Sequence, residues 1–297
     1  MPPSNKPYDP AEHLADAYRS ARLQYLRADA DDARFLEFVP LIEQDPVTQA
    51  HASPTVLQPK GRRQFDEYAA GVAASLLGVM ICLLPEEEEA RRREEEGEGH
   101  DEGDGEGDDE EEGEEKDGDN KDQQQQQHPR QKDTPQQKKQ KQKGTTKAQS
   151  SSNTNTTTRS HGKKTPAPPT IVGVICLGWG GVNASTAHHR GSHIGVSLAA
   201  AHQGRGYGRE AIDWTLDWAF RHAGMHTVGI TAASYNARAC GLYERMGFVR
   251  EGRRRETIWM DRGWHDEIEF GMTEGEWEVL RGRGRNGDGG KGKDEER

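Results

Sequence analysis

From Arg22 to Ala28 apolar and polar residues alternate well enough to predict a strand. Asp29 is placed to cap a helix through Val39, where Pro40 ends it. Phe65, Tyr68, Ala69 and Val72 recur at helical spacing, and Leu76 to Leu84 follows as a strand. The whole run Ala69 to Leu84 is uncharged. It is shorter than the ~20 residues a membrane-spanning helix needs, and Gly71, Ser75 and Gly78 interrupt it, so it reads as a helix end joined to a buried strand. Apolar patterning stops at Pro85 and resumes near Thr170. Ile171 to Leu177 and His193 to Ala199 predict strands, and Ala211 to Ala223 predicts a helix with Ile212, Leu216, Ala219, Phe220 and Ala223 on one stripe. His226 to Thr231 predicts a further strand and Asn236 to Phe248 a second amphipathic helix. Val249 to Met260 and Trp264 to Met272 predict a hairpin that turns at Asp261-Arg262-Gly263, with Gly263 supplying a positive φ.

Composition explains the gap in the middle. Hydrophobic and charged residues each make up 31% of the 297 positions, but they are segregated. Glu86 to Asn120 is mostly Glu, Asp and Gly, Gln123 to Gln127 is pure glutamine, and Arg130 to Lys164 is basic with Gln, Ser and Thr. Such a stretch buries no apolar surface and is expected to stay disordered. The expected organisation is a disordered N-terminus over 1–18, a first folded part over 19–84, a disordered insertion over 85–169, a second folded part over 170–280 and a disordered tail over 281–297. Leu76 to Leu84 is expected to pair with Ile171 to Leu177, so the insertion opens out of a hairpin loop, where closure entropy grows only logarithmically with length.

The net charge of −11 arises largely from that insertion and says little about a partner of the folded part. Cys82, Cys176 and Cys240 are odd in number and lack CxxC spacing, which suits a reducing compartment and argues against a disulfide framework or a cysteine zinc site. Met1 to Pro10 is polar and proline-rich, without the apolar core of a signal peptide. No membrane role is expected, and a cytoplasmic or nuclear location is. The Asp/Gly stretch lacks the spacing and closing Glu of an EF-hand loop. Lys138 to Lys147 reads as solvated linker before it reads as a nucleic-acid contact.

The chemistry lies in Gln203-Gly204-Arg205-Gly206-Tyr207-Gly208, between a strand and a helix. Glycines there bare consecutive backbone amides at a helix N-terminus, where the dipole favours a phosphate or pyrophosphate. A dinucleotide-binding unit would need an acidic residue after the next strand, but Ala232-Ala233-Ser234 stands there. The Gly-Lys-Ser/Thr of a Walker loop is absent too. In the second helix Asn236 can cap, Ala239, Leu242, Tyr243 and Met246 share a face, and Gly247 can take the left-handed position with Phe248 as its apolar contact.

These segments resemble the GCN5-related N-acetyltransferase (GNAT) family, in its ribosomal-protein-alanine and polyamine acetyltransferase branch. Gln203 to Gly208 is similar to the family's Gln/Arg-x-x-Gly-x-Gly/Ala loop, and Asn236 to Phe248 to its Asn-x-x-Ala-x-x-Leu-Tyr-x-x-x-Gly-Phe segment. Arg250-Glu251-Gly252, with Gly263 and Asp266 in the hairpin, resembles that branch. The resemblance implies an α/β fold with a mixed, mostly antiparallel sheet flanked by helices. Two neighbouring parallel strands, His193 to Ala199 and His226 to Thr231, would splay apart to admit acetyl-coenzyme A. Gln203, Gly204, Arg205, Gly206, Tyr207 and Gly208 would hold its pyrophosphate. Val196, Ser197 and Leu198 would pair with the pantetheine arm, Asn236 would touch it, and Tyr243 would be the general acid. An amine, from a protein N-terminus, a polyamine or another small molecule, would attack the thioester directly. A general base is not evident. His193 is a candidate beside deprotonation through water; His188, His189 and His193 are not expected to bind a metal, and Cys240 reads as a packing residue. An acyl-coenzyme A-binding module, whose charged insertion recruits a partner, is the alternative.

Overall fold

The computed structural model describes Pro10, residues 14–98 and residues 168–282. The strands are β1 (Leu23–Arg27), β2 (Leu77–Leu83), β3 (Ile171–Leu177), β4 (Gly191–Leu198), β5 (Thr227–Ala233), β6 (Val249–Met260) and β7 (Gly263–Thr273). They form one seven-stranded sheet in the order β1-β2-β3-β4-β5-β7-β6. Each neighbouring pair is antiparallel except β4 and β5. The helices are α1 (Ala33–Glu43), α2 (Pro46–Ala52), α3 (Arg62–Ala74), α4 (Pro85–Glu98), α5 (Tyr207–Arg221), α6 (Ala237–Arg245) and α7 (Glu274–Leu280).

The sheet separates two apolar cores. On one side α5, α6 and α7 bury Ile212, Leu216, Phe220, Tyr243 and Trp277 against Ile175, Ile230, Phe270 and Met272. On the other, α1 and α3 bury Phe35, Phe38, Phe65 and Val72 against Met80, Cys82 and Val174. Covered on both faces, β2 is buried at each of its positions, which accounts for its unbroken apolar run. The expected pairing of β2 with β3 is present and antiparallel, from Leu77 with Leu177 to Ile81 with Gly173. The stripe of α5 packs as the sequence predicts, and the ring of Trp214 stacks on Tyr25 of β1 with centroids 3.7 Å apart.

Four local expectations differ from the structure. Helix α1 starts one turn later than expected, capped by Asp32, whose Oδ1 accepts from the Arg34 amide at 2.9 Å. It also runs through Pro40, because burial of Phe38, Val39 and Ile42 outweighs the single backbone hydrogen bond a proline lacks. Between Pro40 and Phe65, where the apolar pattern predicts no element, α2 forms with Pro46 in its first turn and Asp45 accepting from the Thr48 amide at 2.8 Å. At the β6–β7 turn, positive φ falls on Asp261 (45°) and Arg262 (60°), not on Gly263.

The fourth difference concerns residues 85–98, expected to begin the disordered insertion. They form α4, with Glu86, Glu87 and Glu88 in its first turn, where carboxylates favour the helix dipole. Tertiary contacts hold it: Glu87 accepts from the Tyr207 hydroxyl at 2.6 Å, Glu88 accepts from Thr170, and Glu94 lies 3.8 Å from Arg205. The rest of the expected insertion, residues 99–167, lies outside the described residues, as do 1–9 and the tail from 283.

Between β4 and β5 the pairing is short. Gly191, Ser192 and His193 pair with Thr227, Val228 and Gly229, and there the ladder ends although both strands continue. The opposite end of the sheet is tight. A Cβ built on Gly78 of β2 would lie 2.0 Å from the Val72 carbonyl oxygen of α3. Gly78→Ala is therefore expected to destabilise the fold by about 1–3 kcal/mol, measured as a lower urea midpoint; an unchanged midpoint would show that α3 can move away from the sheet.

Candidate functional site

The site begins at the N-terminus of α5. Gly204 (φ 84°) and Gly206 (φ 86°) occupy the left-handed region and turn the chain sharply into the helix. Beyond that bend the Glu210 amide donates to the Gly206 carbonyl at 3.2 Å. The amides of Gly204 through Arg209 have no acceptor among the described residues. Those groups form the positive end of the α5 dipole. Glu210, the acid in the first turn of α5, does not cancel that field. It faces β1, where Oε2 accepts from Arg22 Nε at 2.9 Å and Oε1 from the Ser20 hydroxyl at 2.7 Å. Arg22 also donates to the Arg205 carbonyl at 3.0 Å, so β1 fixes the loop from behind.

The strand gap supplies the second wall. The Ala199 amide donates to Val172 of β3 at 3.1 Å. Alternation along β4 then turns the amides of Val196 and Leu198 the other way, toward the space left by β5. Gln203 crosses that space: its Nε2 donates to the Leu198 carbonyl at 3.0 Å and to Thr48 Oγ1 of α2 at 3.1 Å.

Helix α6 is the third wall. Asn236 caps it, its Oδ1 accepting from the Ala239 amide at 3.1 Å. Tyr243 is buried edge-on against Phe270, with centroids 5.5 Å apart, and burial pushes its hydroxyl up to about 12. It stays a protonated donor throughout the neutral range. Cys240 is buried on the same helix, and burial raises its thiol, which leaves it a poor nucleophile.

These walls enclose one cleft of about 590 Å³. Of the residues singled out in the sequence, Val196, Ser197 and Leu198 line it from β4 and Gln203, Gly204, Gly206 and Gly208 from the loop. Asn236 and Tyr243 line it from the α6 side. Arg205 and Tyr207 do not. Tyr207 points into the core and donates to Glu87, and the Arg205 side chain lies on the α4 side of the loop. His193 is also outside the cleft, with its ring over Gly229, where an added Cβ would meet it at 2.6 Å. His188 and His189 contact each other with centroids 3.9 Å apart. Among the described residues no group of three or more His, Cys, Asp or Glu side chains is placed to hold a metal ion, and no helix is long and apolar enough to cross a membrane.

Several lining residues escaped the sequence reading. Arg209, Arg238 and Arg245 reach the cleft and have no carboxylate within ion-pair distance among the described residues. Arg238 and Arg245 are two turns apart on one face of α6, a spacing visible in the sequence but meaningful only once that face is known to border the loop. Thr48 and His51 arrive from α2, a helix that the apolar pattern does not predict.

Residues 125–248 match the family model described as Acetyltransferase (GNAT) family. The chain is 33% identical over 78 residues to the spermidine N(1)-acetyltransferase of Vibrio cholerae, covering 26% of this chain and 45% of that one. It is 26% identical over 85 residues to the [ribosomal protein uS5]-alanine N-acetyltransferase of Escherichia coli, covering 29% and 44%. The chain thus spans under half the length of these two relatives. A GNAT-family acetyltransferase structure from Bacillus anthracis aligns over 86% of this chain and 98% of its own with 14% identity and a TM-score of 0.48. The glycine loop, the splayed parallel pair and the Asn236-to-Phe248 helix, which border one cleft, all fall within the stretch that matches the acetyltransferase (GNAT) family model.

Proposed function

We propose that this protein is an N-acetyltransferase that moves the acetyl group of acetyl-coenzyme A to an amine by direct attack on the thioester. The observation that carries this reading is the run of amides from Gly204 to Arg209, without acceptors and at the positive end of α5, opening into the same cleft as the unpaired edge of β4. Oriented amides at a helix start are the complement of a diphosphate. Gly204, Arg205, Gly206, Tyr207 and Gly208 contribute through backbone rather than side chain, which is why the course of the Arg205 and Tyr207 side chains away from the cleft does not weaken the loop. Arg209, Arg238 and Arg245 add charge beside it.

The amides of Val196 and Leu198 would offer the acyl-pantetheine arm a strand edge to pair with, and the Leu198 amide would supply a donor to the developing oxyanion. Ser197 and Asn236 border the same path. Tyr243 is the proton donor to the departing thiolate, and its raised pKa keeps the proton available. The acceptor is an amine of a protein N-terminus, a polyamine or another small molecule. The two relatives named for spermidine and for a ribosomal-protein alanine support an amine acceptor.

Three outcomes check this reading. Calorimetric titration is expected to show acetyl-coenzyme A binding, and absence of binding at millimolar concentration would refute it. Tyr243→Phe should lower kcat about a hundredfold while leaving acetyl-coenzyme A affinity unchanged, as read by thiol release and titration; a variant of full rate would remove Tyr243 from the chemistry. Arg209→Ala combined with Arg238→Ala should raise the Kd for acetyl-coenzyme A about tenfold, with a flatter salt dependence because fewer charges attract the phosphates.

A further inference from the structure

Helix α2 lies across the gap between β4 and β5. It is tied to the β4 side by Gln203 Nε2, which donates to Thr48 Oγ1 at 3.1 Å. It is tied to the β5 side by the Tyr235 hydroxyl, which donates to the Ala50 carbonyl. Gln49, buried on the inner side of α2, donates to the Glu43 carbonyl at 2.7 Å and fixes the helix to the end of α1. The helix is thus held on both banks of the splay, and its C-terminal turn presents His51 to the cleft.

The cleft needs a proton acceptor. A primary amine is protonated near neutral pH and must lose that proton before its lone pair can attack. Among the described residues no aspartate or glutamate lines the cleft. Arg209, Arg238 and Arg245 present guanidinium groups, which donate hydrogen bonds and offer no lone pair to accept a proton. Tyr243 and Tyr235 are both pushed up by burial and serve as donors. Histidine is the side-chain type that takes up and returns a proton near neutrality, and among the described residues His51 is the one histidine in the lining. It is solvent-exposed on its outer side, so a proton taken from the cleft can pass to water. The groups facing it are Asp45 on α2, whose carboxyl is held low chiefly by hydrogen bonds from Thr48 and further by His51, and Tyr235, with ring centroids 6.3 Å apart. His265 of β7 lies behind Tyr235, edge-on at 4.9 Å.

Resting on the acetyltransferase reading, we infer that His51 is the general base for the acceptor amine, and that α2 is the element that places it. The proton balance closes. His51 removes one proton from the ammonium group and passes it to water. The freed lone pair forms the C–N bond at the thioester carbonyl. As the C–S bond breaks, Tyr243 gives its proton to sulfur and is reprotonated from the second proton leaving the nitrogen. The products are the amide, the free thiol and one proton in solution.

His51→Gln tests this with three probe amines: spermidine, an alanine-initiated peptide, and aniline, whose amine is already unprotonated at neutral pH. For whichever of the first two the wild type acetylates, the variant should be slowed about a hundredfold at pH 7. The difference should narrow toward pH 9.5, where the amine begins to deprotonate unaided. Aniline acetylation should be unchanged, as should the Kd for acetyl-coenzyme A. Tyr235→Phe, which frees α2 on the β5 side and so loosens the placement of His51, should lower kcat for the ammonium substrates and spare aniline, as His51→Gln does. Equal rates for wild type and His51→Gln, or an equal loss with aniline, would overturn the assignment. So would a wild type that binds acetyl-coenzyme A but acetylates none of the three. Loss of acetyl-coenzyme A binding by the wild type itself would instead refute the acetyltransferase reading beneath it.

Discussion

Peptide groups left without partners must find them elsewhere, and this structure concentrates that demand where β4 and β5 part. The two strands share a ladder only over Gly191–His193 and Thr227–Gly229. Past that point the amides of Val196 and Leu198 face open space, and the loop that follows leaves the amides of Gly204 through Arg209 unpaired as well. An unpaired peptide group costs free energy when dry, so the cleft is stable only wet or filled. A ligand with carbonyl and amide groups along one part and phosphates at the other matches this row of donors in order. The rest of the architecture serves to keep the two strands apart without letting the sheet fall open.

What keeps them apart is packing on both sides of the gap. Leu198 contributes to the core under α5, and the Gln203 side chain returns to its carbonyl, so β4 is fixed beyond its last rung. On the far side β5 is paired along its whole length with β7, from Thr227 with Thr273 to Ala233 with Glu267. Each strand is thereby satisfied along its other edge, and neither gains enough by moving inward. The loop is braced in the same way. Arg22 pairs with Glu210 on the β1 side and the Ser20 hydroxyl donates to it, which turns that carboxylate away from the cleft. Helix α4 adds a second brace, through Glu87 on Tyr207 and Glu94 near Arg205. The start of the acidic run is thus anchored to the back of the glycine loop.

Sequence reading and structure agree most closely where a local rule acts alone. The apolar stripe of α5, the Asn236 cap and the continuous burial of β2 all follow from spacing within a few residues. Disagreement follows where a distant partner overrides a local rule. Pro40 sits inside α1 because Phe38, Val39 and Ile42 are buried around it. Helix α4 forms on a sequence with no apolar stripe because Tyr207, Thr170 and Arg205 hold its carboxylates. The short helix α2 had its signal in Asp45-Pro46, but seven residues between two loops carry too little periodicity to be read without the contacts that hold them.

By itself the sequence determined the glycine bend, the identity of the two helices that flank it, and the tyrosine on the second of them, because each rests on backbone chemistry confined to one segment. Only the tertiary structure decided which side chains face the cleft. Arg205 and Tyr207 belong to the loop yet point away from it, whereas Arg209, Arg238, Arg245 and His51 come from three helices and meet there. A motif fixes where the backbone turns. The direction of a side chain is set by what lies against it, and those neighbours are more than a hundred residues apart along the chain, as Tyr207 is from Glu87, 120 positions away.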